Sequence, residues 1–503
     1  MKLYFETSNF PWQPERYHYA AEQMMLTLFP EERPEYPEGP LPGGLSGEQN
    51  AAVFTLHRGK KLTSICVLVF RPQGYYNGVS RFPSKELDRP PEEVYHTVQH
   101  ALKLAFYKAG TALLGTQPPW GALTGVRPVK LPTRSMLAGS TPRQAQRELE
   151  KAYFVSPARA RLAVDCAQAS LEAQRSLAPG QVSLYIGIPF CPSRCIYCSF
   201  VSADVGKTLH LVEPYLEGLL REVEETGRVL REAGLTVRSF YMGGGTPTVL
   251  SAEQLDRLLA RCEACLPLEG CTEYTVEAGR PDTITREKLQ ALRDHQIDRI
   301  SINPQTMAPH VLEAIGRLHT ADQLRQAWKL AEEAGFPCIN MDLIAGLPKD
   351  TLGGFQHSLQ EVLAMDPENI TVHTLALKKG SRLMEGENGG TLPSGDEVAA
   401  MLDWSRNTLA SHGYVPYYLY RQKYMSGSLE NVGWAKPGAE SLYNIVMMEE
   451  LHTVVSLGAG GVSKLIGGGK ILRLANPKFP HDYLAGLDKV LAQKQEIAAF
   501  FPM

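Results

Sequence analysis

Hydrophobic and polar positions follow two periods along the chain, and the alternation between them predicts strands and helices. From residue 182 onward, short runs rich in β-branched and aromatic residues are each followed by hydrophobic positions three or four residues apart. Strands are predicted at 182–188, 237–242, 273–277, 299–303, 338–344 and 369–377. Amphipathic helices are predicted at 212–233, 251–266, 285–296, 308–334 and 353–364.

Strands that alternate with helices of this length predict right-handed βαβ units and a parallel sheet. Six such units are compatible with an open, incomplete barrel or with a doubly wound sheet, and the periodicity does not choose between them. In parallel α/β barrels, reactive groups gather at the carboxyl ends of the strands, because all the βα loops open onto that face. We therefore expect the chemistry of this chain in the loops that follow the strands.

The remaining parts of the chain predict further domains. Residues 1–115 are expected to form a small α+β domain, with a hairpin turn at Arg58-Gly59-Lys60 and a helix near 92–114. Residues 116–180 are expected to form a helical connector, with helices near 142–153 and 157–177. The main domain is then expected over 181–380 and a C-terminal domain over 381–503.

Composition narrows the class of protein. The chain has 503 residues, 44% of them hydrophobic and 21% charged, and its formal charge is −3. This length allows several domains, and nucleic acid is not the expected partner, since no basic excess exists. The start "MKLYFETSNFPW" lacks the features of a signal peptide, and no apolar run of about 18 residues predicts a membrane span. We expect a cytoplasmic enzyme.

Three of the nine cysteines stand within eight residues, in "CPSRCIYC", as Cys191, Cys195 and Cys198. A structural zinc site requires four protein ligands, whereas three thiolates on a short loop can hold three irons of a [4Fe-4S] cluster. The fourth iron then remains open to another ligand. The alternatives are a zinc site completed by a distant His or Cys, and three unrelated thiols. Cys262, Cys265 and Cys271 suggest a second cluster, but the apolar stripe of the predicted helix that carries Cys262 and Cys265 favours core packing. Core packing is also expected for Cys66, Cys166 and Cys338, which lie in apolar patterns.

Polar or glycine-rich segments end the other predicted strands. The second strand ends at "GGGTPT" (243–248), the third at Glu277, the fourth at Gln305, and the fifth at Asp342. Each of these alone is compatible with an ordinary loop. Together with the cysteine loop, which follows the first strand, they place five loops at the same end of a parallel sheet.

The combination "YIGIPFCPSRCIYCSF" and "YMGGGTPT" resembles the radical S-adenosylmethionine (SAM) superfamily. Later motifs narrow the resemblance to the oxygen-independent coproporphyrinogen III oxidase-like family. "WGALTGVRPVKL" and the segment from "YYLYRQKYMSGS" to "IVMMEE" are similar to its long, Z-type coproporphyrinogen dehydrogenase branch. The resemblance covers about residues 182–470 and implies an α/β fold, an incomplete, six-stranded parallel barrel of the radical SAM type. Residues 381–503 would form a C-terminal α+β lid domain that covers the substrate.

The resemblance also implies two cofactors and the residues that contact them. Cys191, Cys195 and Cys198 would ligate three irons of a [4Fe-4S] cluster, and Tyr185 would lie beside it as part of the catalytic site. S-adenosyl-L-methionine would bind the fourth iron. The residues that match SAM contacts of the family are Gly243, Gly244, Gly245, Thr246, Glu277, Gln305, Arg317 and Asp342, in addition to Tyr185. Among them, Arg317 would pair with the SAM carboxylate, because guanidinium binds carboxylate through two hydrogen bonds.

The reaction implied by the resemblance is oxidative decarboxylation of two propionates of coproporphyrinogen III to vinyl groups, which gives protoporphyrinogen IX. An electron donor such as flavodoxin or ferredoxin would reduce the cluster, and an open iron predicts loss of activity in air. Aromatic and cationic residues of the C-terminal region suit a tetrapyrrole partner or, alternatively, a buried strand with a charged edge: Tyr414, Tyr417, Tyr418, Tyr420, Arg421 and Lys423.

Two departures from the family pattern leave the substrate open. Phe200 stands where the oxidases carry a fourth cysteine, and Gly187 stands where they carry a histidine. The alternatives are a radical enzyme that opens or alkylates haem, and a haem-binding trafficking protein on the same scaffold. The histidine-asparagine motif of the trafficking branch is absent from the C-terminal region, where this chain has "ESLYNIV".

Overall fold

The computed structural model describes residues 1–6, 9, 13–37, 50–72, 74–199, 203–378, 380–385, 390–422 and 428–501. Phe200 and Lys423 lie outside these residues. The chain divides into two compact units, Met1–Val164 and Asp165–Met503. The four-part domain division derived from the sequence stays a prediction.

The first unit is an α+β domain with a four-stranded sheet. Its elements are β1 (Lys2–Glu6), α1 (His18–Leu28), β2 (Ala51–Arg58), β3 (Leu62–Arg71), β4 (Gly74–Pro83), α2 (Pro91–Leu114), α3 (Lys130–Leu137), α4 (Pro142–Tyr153) and the start of α5 (Pro157–Ser176). The strand order is β1-β2-β3-β4, with β1 parallel to β2 and the other pairs antiparallel. The β2–β3 pair confirms the predicted hairpin.

Apolar side chains of the sheet and of the two long helices form the core of this unit. Phe54 and Val67 from the sheet lie in one buried cluster with Met24 of α1 and with Leu102 and Phe106 of α2. The alternation of buried and half-buried positions along β3 shows that one face of the strand points into this core.

The second unit contains one large sheet and the helices around it. From β5 to β12 its elements are β5 (Gln181–Ile188), β6 (Phe190–Cys191), β7 (Ala203–Asp204), α6 (Val205–Glu232), β8 (Thr236–Gly244), α7 (Ala252–Cys265), β9 (Tyr274–Glu277), α8 (Arg286–Asp294), β10 (Arg299–Ser301), α9 (Pro309–Ala314), α10 (Ala321–Glu333), β11 (Cys338–Ala345), α11 (Leu352–Met365) and β12 (Asn369–Thr374). The C-terminal elements are α12 (Gly395–Ser411), β13 (Val415–Arg421), β14 (Glu430–Ala435), α13 (Leu442–Glu449), β15 (Val454–Leu457), β16 (Val462–Gly467), β17 (Lys470–Ala475), α14 (Pro480–Ala485), α15 (Leu487–Gln493) and α16 (Gln495–Phe500).

The six predicted strands are neighbours in this sheet and run parallel in chain order, β5-β8-β9-β10-β11-β12. Their side chains are buried on both faces, as in a parallel sheet covered by helices: Val182, Ser183, Leu184 and Ile186 of β5 are all almost inaccessible to water. The α/β class with a parallel sheet is therefore confirmed.

C-terminal strands extend this sheet at both edges. At one edge β14 pairs antiparallel with β12, and β13 pairs with β14. At the other edge β15 pairs parallel with β5, and the β16–β17 hairpin follows it. The backbone groups of β5 and β12 therefore have strand partners on both sides.

The prediction of one helix over 308–334 is wrong. Two helices, α9 and α10, occupy this segment, and Arg317 lies between them. Gly316 has a φ of 72°, which glycine adopts without steric cost, and it ends the first helical segment. Thr320 then begins α10 through a capping box with Gln323.

Among the described residues, no helix has both the length and the hydrophobicity that crossing a bilayer requires.

Candidate cofactor site

A cavity of about 370 Å³ lies at the carboxyl ends of the parallel strands. It is lined by all of the sequence-predicted site residues except Tyr185 and Gly243, namely Cys191, Cys195, Cys198, Gly244, Gly245, Thr246, Glu277, Gln305, Arg317 and Asp342. The structure thus brings together residues from five neighbouring strands and from the loops that follow them. Their individual roles remain proposals.

The cysteine loop is attached to the sheet through the glycine-rich turn. The Gly245 amide donates to the Ile188 carbonyl at 2.8 Å, and the Thr246 amide donates to the Phe190 carbonyl at 2.7 Å. The Thr246 hydroxyl also donates to Cys191 Sγ at 3.5 Å. These contacts hold the start of the cysteine loop against the end of β8.

Arg317 points into the cavity from the break between α9 and α10. Its Nη1 donates to the carbonyls of Asn303 at 2.8 Å and Gly279 at 3.3 Å. It also hydrogen-bonds the side chains of Tyr197 and Cys195, whereas its Nε is buried without a hydrogen-bond partner. A buried guanidinium with an unused donor is suited to binding an anionic group.

Glu277 lies at the end of β9, where Tyr241 of β8 donates a hydrogen bond to it at 2.6 Å. Burial raises the pKa of Glu277 to about 7, and the hydrogen bond from Tyr241 only partly offsets this effect. The Tyr241 ring stacks on Tyr443 of α13, with centroids 4.4 Å apart. The carboxyl group is therefore placed by neighbours on two other elements.

The two predicted residues that do not line the cavity, Tyr185 and Gly243, lie next to residues that do. A Cβ on Gly243 would lie 2.7 Å from the Glu277 carboxyl carbon, and a Cβ on Gly244 would lie 2.9 Å from the Tyr185 hydroxyl. The Tyr185 ring also stacks on Tyr241, with centroids 6.3 Å apart. Burial raises the pKa of Tyr185, which keeps its hydroxyl protonated.

Gln305 and Asp342 are joined through the backbone. The Gln305 amide donates to the Asp342 carbonyl at 2.9 Å, and Gln305 has a φ of 66°, which is uncommon outside glycine. Gln305 Oε1 is buried without a hydrogen-bond partner. Burial would raise the pKa of Asp342, but hydrogen bonds from His373 and Asn340 outweigh burial and lower it.

The structure adds residues to the cavity that the sequence did not single out. They are chiefly polar residues at strand ends and residues of the C-terminal elements, including Ser193, Arg280, Asn303, Asn340, His373, Lys378, Gln422, Asn444 and Met448. Arg280 lies three residues after Glu277, and its position just after a strand was the available signal. Asn444 and Met448 lie on α13, for which the sequence carried no such signal.

The C-terminal tyrosines divide into two groups. Tyr418 and Tyr420 line the cavity. Tyr414 and Tyr417 are buried, and Tyr414 donates to the Pro367 carbonyl at 2.5 Å. Arg421 is also buried and donates to the Ser428 carbonyl. Tyr414, Tyr417 and Arg421 thus fit the interpretation as a buried strand, and a tetrapyrrole contact of Tyr418 and Tyr420 stays a prediction.

The cavity residues fit an iron-sulfur cluster with an organic ligand. The donors are three cysteine thiols on one loop. Gln305 and Arg317, each with one buried polar atom that has no hydrogen-bond partner, also line the cavity. In the described part of the chain, no three or more His, Cys, Asp or Glu side chains are arranged to hold a single metal ion.

Residues 185–362 match the Radical SAM superfamily. The oxygen-independent coproporphyrinogen-III oxidase-like protein HemZ of Bacillus subtilis is 41% identical over 401 residues, which cover 79% of this chain and 80% of HemZ. The chain belongs to the oxygen-independent coproporphyrinogen III oxidase-like family of radical SAM proteins. The family's cofactors are a [4Fe-4S] cluster and S-adenosyl-L-methionine.

Other members of this family carry two kinds of name. The heme chaperone HemW of Lactococcus lactis is 32% identical over 324 residues, which cover 63% of this chain and 79% of HemW. The oxygen-independent coproporphyrinogen III oxidase of Pseudomonas aeruginosa is 32% identical over 239 residues, 46% of this chain and 51% of that protein. The family thus includes oxidases and chaperones, and membership alone leaves the activity open.

The solved structure of the coproporphyrinogen III oxidase HemN from Escherichia coli, a radical SAM enzyme, has the same fold. It superposes with a TM-score of 0.52 over 64% of this chain and 72% of HemN, at 24% sequence identity. The radical SAM fold class is confirmed by this similarity.

Proposed function

We propose that the chain is a radical SAM oxidoreductase that decarboxylates two propionates of coproporphyrinogen III to vinyl groups and so forms protoporphyrinogen IX. The observation that carries this proposal is the continuity of one cavity. The three cluster thiols line it together with Tyr418, Tyr420 and Lys378, which are suited to an anionic, largely apolar macrocycle. The 41% identity with the oxidase-like HemZ supports the same assignment.

The proposed cofactor contacts use the unsatisfied groups of the cavity. The Arg317 guanidinium would bind the SAM carboxylate, and Gln305 Oε1 would accept a hydrogen bond from a ribose hydroxyl. Glu277, held by Tyr241, would accept a second ribose hydrogen bond. Bound in this way, the cluster and SAM supply hydrogen-atom abstraction from an unactivated carbon. The protein's contribution is to orient the propionate and to exclude water.

The proposed substrate contacts lie on the C-terminal side of the cavity. Tyr418 and Tyr420 lie on β13, His373 lies on β12, and Lys378 lies in the segment that follows β12. A cation near the propionate would fix its position for loss of a β-hydrogen. Each round would release carbon dioxide, methionine and 5′-deoxyadenosine. The remaining electron would pass to a one-electron acceptor, and a flavodoxin or ferredoxin would supply the reducing electron.

Delivery of haem is the second candidate function, because the 32% identity extends over 79% of the heme chaperone HemW. The same cavity would then hold haem without turnover. Modification of haem by the radical chemistry is the remaining alternative. All three functions use the same cofactors, so product analysis must separate them.

The test is an anaerobic assay of protein with reconstituted cluster, reductant and SAM, with and without coproporphyrinogen III. We expect substrate-dependent 5′-deoxyadenosine and a porphyrin product that has lost two carboxyl groups. The variant C198A removes a proposed iron ligand and should abolish both signals. The matched control C265A, on α7 away from the cavity, should retain them.

The same assay distinguishes the alternatives. Formation of 5′-deoxyadenosine with unchanged coproporphyrinogen mass would reject the proposed substrate, and haem would be tested next. Tight haem binding without a changed haem or porphyrin would instead favour delivery. An active C198A variant would overturn the assignment of the cluster loop.

A further inference from the structure

A second buried guanidinium contacts the cysteine loop, in addition to that of Arg317. Arg280 Nη1 lies 3.9 Å from Cys195 Sγ, within hydrogen-bonding distance for sulfur. Arg280 also donates to the Ser193 hydroxyl, at 3.2 Å from both Nη1 and Nη2, and to the Ser193 carbonyl at 3.4 Å. Ser193 and Cys195 therefore share one cationic donor.

The position of Arg280 is fixed by hydrogen bonds within the loop after β9 and between that loop and the loop after β8. Pro281 begins a 3-10 helix, Pro281–Thr283, and the Thr283 hydroxyl donates to the Arg280 carbonyl at 2.8 Å. Thr283 in turn contacts the Thr248 hydroxyl at 2.6 Å. Since Thr248 belongs to the "GGGTPT" turn, the loops after β8 and β9 are fixed to each other.

Asp282 binds the opposite side of the same guanidinium. Arg280 Nε lies 3.0 Å from Asp282 Oδ1, and Arg280 Nη2 lies 3.2 Å from Asp282 Oδ2, so the pair is bidentate. The Arg280 side chain is 4% exposed and that of Asp282 is 20% exposed. Cys195 thus faces a cation whose charge is partly balanced by a carboxylate farther from the sulfur.

Such an arrangement affects the electron affinity of a bound cluster. Reduction adds negative charge, and a cation or hydrogen-bond donor at a ligating sulfur stabilises the reduced form. The effect is strong where water is excluded, because the local dielectric constant is low. A carboxylate acts in the opposite direction. Arg280 and Asp282 should therefore shift the reduction potential with opposite signs.

We propose that Arg280 is a positioning residue that holds the cysteine loop at Ser193 and, together with Asp282, sets the reduction potential of the cluster bound through Cys195. The proposal rests on the family's cluster and not on the identity of the substrate. It assigns Arg280 a function separate from SAM binding, which the sequence motif assigned to Arg317 and other residues.

The test is a redox titration of anaerobic, reconstituted full-length protein, followed by electron paramagnetic resonance of the reduced cluster. In R280Q we expect a more negative midpoint potential, with the ratio of reduced to oxidised cluster at least tenfold lower at a fixed solution potential. This corresponds to a shift of about 59 mV for one electron. D282N should shift the midpoint in the positive direction, and R280K should lie between the wild type and R280Q.

The control R286Q changes an exposed arginine of α8 that pairs with Glu333, and it should leave the potential unchanged. Iron and sulfide content separates loss of the cluster from a shifted potential. If R280Q fails to retain the cluster, R280K and D282N still decide the sign. Shifts of R280Q and D282N in the same direction, or unchanged potentials in cluster-loaded variants, would overturn the proposal whatever the coproporphyrinogen assay shows.

Discussion

At the residue scale, the three adjacent glycines at the end of β8 are required for different reasons. Gly243 leaves room for the Glu277 carboxyl group, and Gly244 has a φ of 102°. A Cβ on Gly245 would lie 2.6 Å from the Ile188 carbonyl oxygen and closer still to that of Phe190. Of these three glycines, Gly245 is the one whose added Cβ would meet only backbone atoms, and these cannot move aside by a side-chain rotation.

We expect G245A to destabilise the protein by about 1–3 kcal/mol, because the added methyl group must displace the backbone of the cysteine loop. The Gly245–Ile188 hydrogen bond would also be strained. Unfolding in denaturant measures the effect. G353A is the control, since Gly353 lies in α11 and a Cβ there would meet nothing closer than 4.0 Å. Equal stability of G245A and wild type would contradict the close packing.

Glu277 predicts a pH dependence of stability. Burial raises its pKa from 4.5 to about 7, so the folded protein retains a proton that the unfolded chain has released. The stabilisation is complete below pH 4.5 and is lost as the pH rises through about 7. The amide of residue 277 in E277Q does not titrate. As the pH rises through this window, the wild type should therefore lose about 3 kcal/mol of stability that E277Q does not lose.

Denaturant unfolding of the cofactor-free protein at several pH values between about 4 and about 8 would measure this difference, because this range spans the pKa of Glu277 in the unfolded and in the folded state. E269Q, at an exposed position, serves as the matched control and should show no such trend. A stability difference between E277Q and wild type that does not change with pH would contradict the raised pKa.

At the scale of elements, the N-terminus of α13 is held by the carboxylate of Glu273, which directly precedes β9. Glu273 accepts hydrogen bonds from the Leu442 amide at 2.6 Å, the Tyr443 amide at 3.0 Å and the Ser441 hydroxyl at 3.1 Å. A negative charge at a helix N-terminus is favourable. This contact positions Tyr443, which stacks on Tyr241, and it places Asn444 at the cavity.

Replacement of Glu273 by Gln should cost about 2 kcal/mol of stability, because a buried charged acceptor is lost from the helix N-terminus. Arg299, whose Nε lies 4.0 Å from Glu273, would also lose its counter-charge. Unfolding experiments measure the loss, with E269Q as the control within about 0.5 kcal/mol of wild type. Increased hydrogen exchange in α13 is expected in the same variant; unchanged exchange there would argue against the anchoring role.

At the scale of the whole molecule, Glu222 of α6 joins the central sheet region to the C-terminal segments. It accepts hydrogen bonds from the Gly458 amide and Asn476, each at 2.8 Å, and from the Tyr483 hydroxyl at 2.5 Å, and it pairs with Lys494 at 2.8 Å. The Glu222 side chain is fully buried. One buried carboxylate thus connects α6 to four places in the segments after β15.

We expect E222A to destabilise the protein by about 3–5 kcal/mol, because it leaves the Lys494 ammonium buried without its partner. Hydrogen exchange should increase in β15, β17 and α14 before it increases in β9 to β11. E217Q, on the exposed side of α6, is the control. A double variant, E222L with K494M, should recover part of the loss; if it does not, the unpaired charge is not the cause.

Local patterns were sufficient to predict all six parallel strands, whereas their order in the sheet came from the tertiary structure, because the periodicity is equally compatible with a doubly wound sheet. Each strand and helix is short, and its periodicity is visible within one window of sequence. The convergence of Cys191, Glu277, Gln305 and Asp342 also followed, because strand direction alone places the loops of parallel strands on one side. The break at Arg317 was missed, since the apolar period continues through Gly316 and hides the helix end.

The parallel α/β class, the three-thiol loop and the convergence of the strand-end residues could be predicted from the amino-acid sequence, because they depend on local periodicity and on short motifs. Only the tertiary structure decided that β15 pairs with β5, that α13 supports Glu277 through Tyr443, and that Arg280 contacts Cys195. These contacts join residues far apart in the chain. No local pattern carries them, since they arise only when strand pairing and burial bring the segments together.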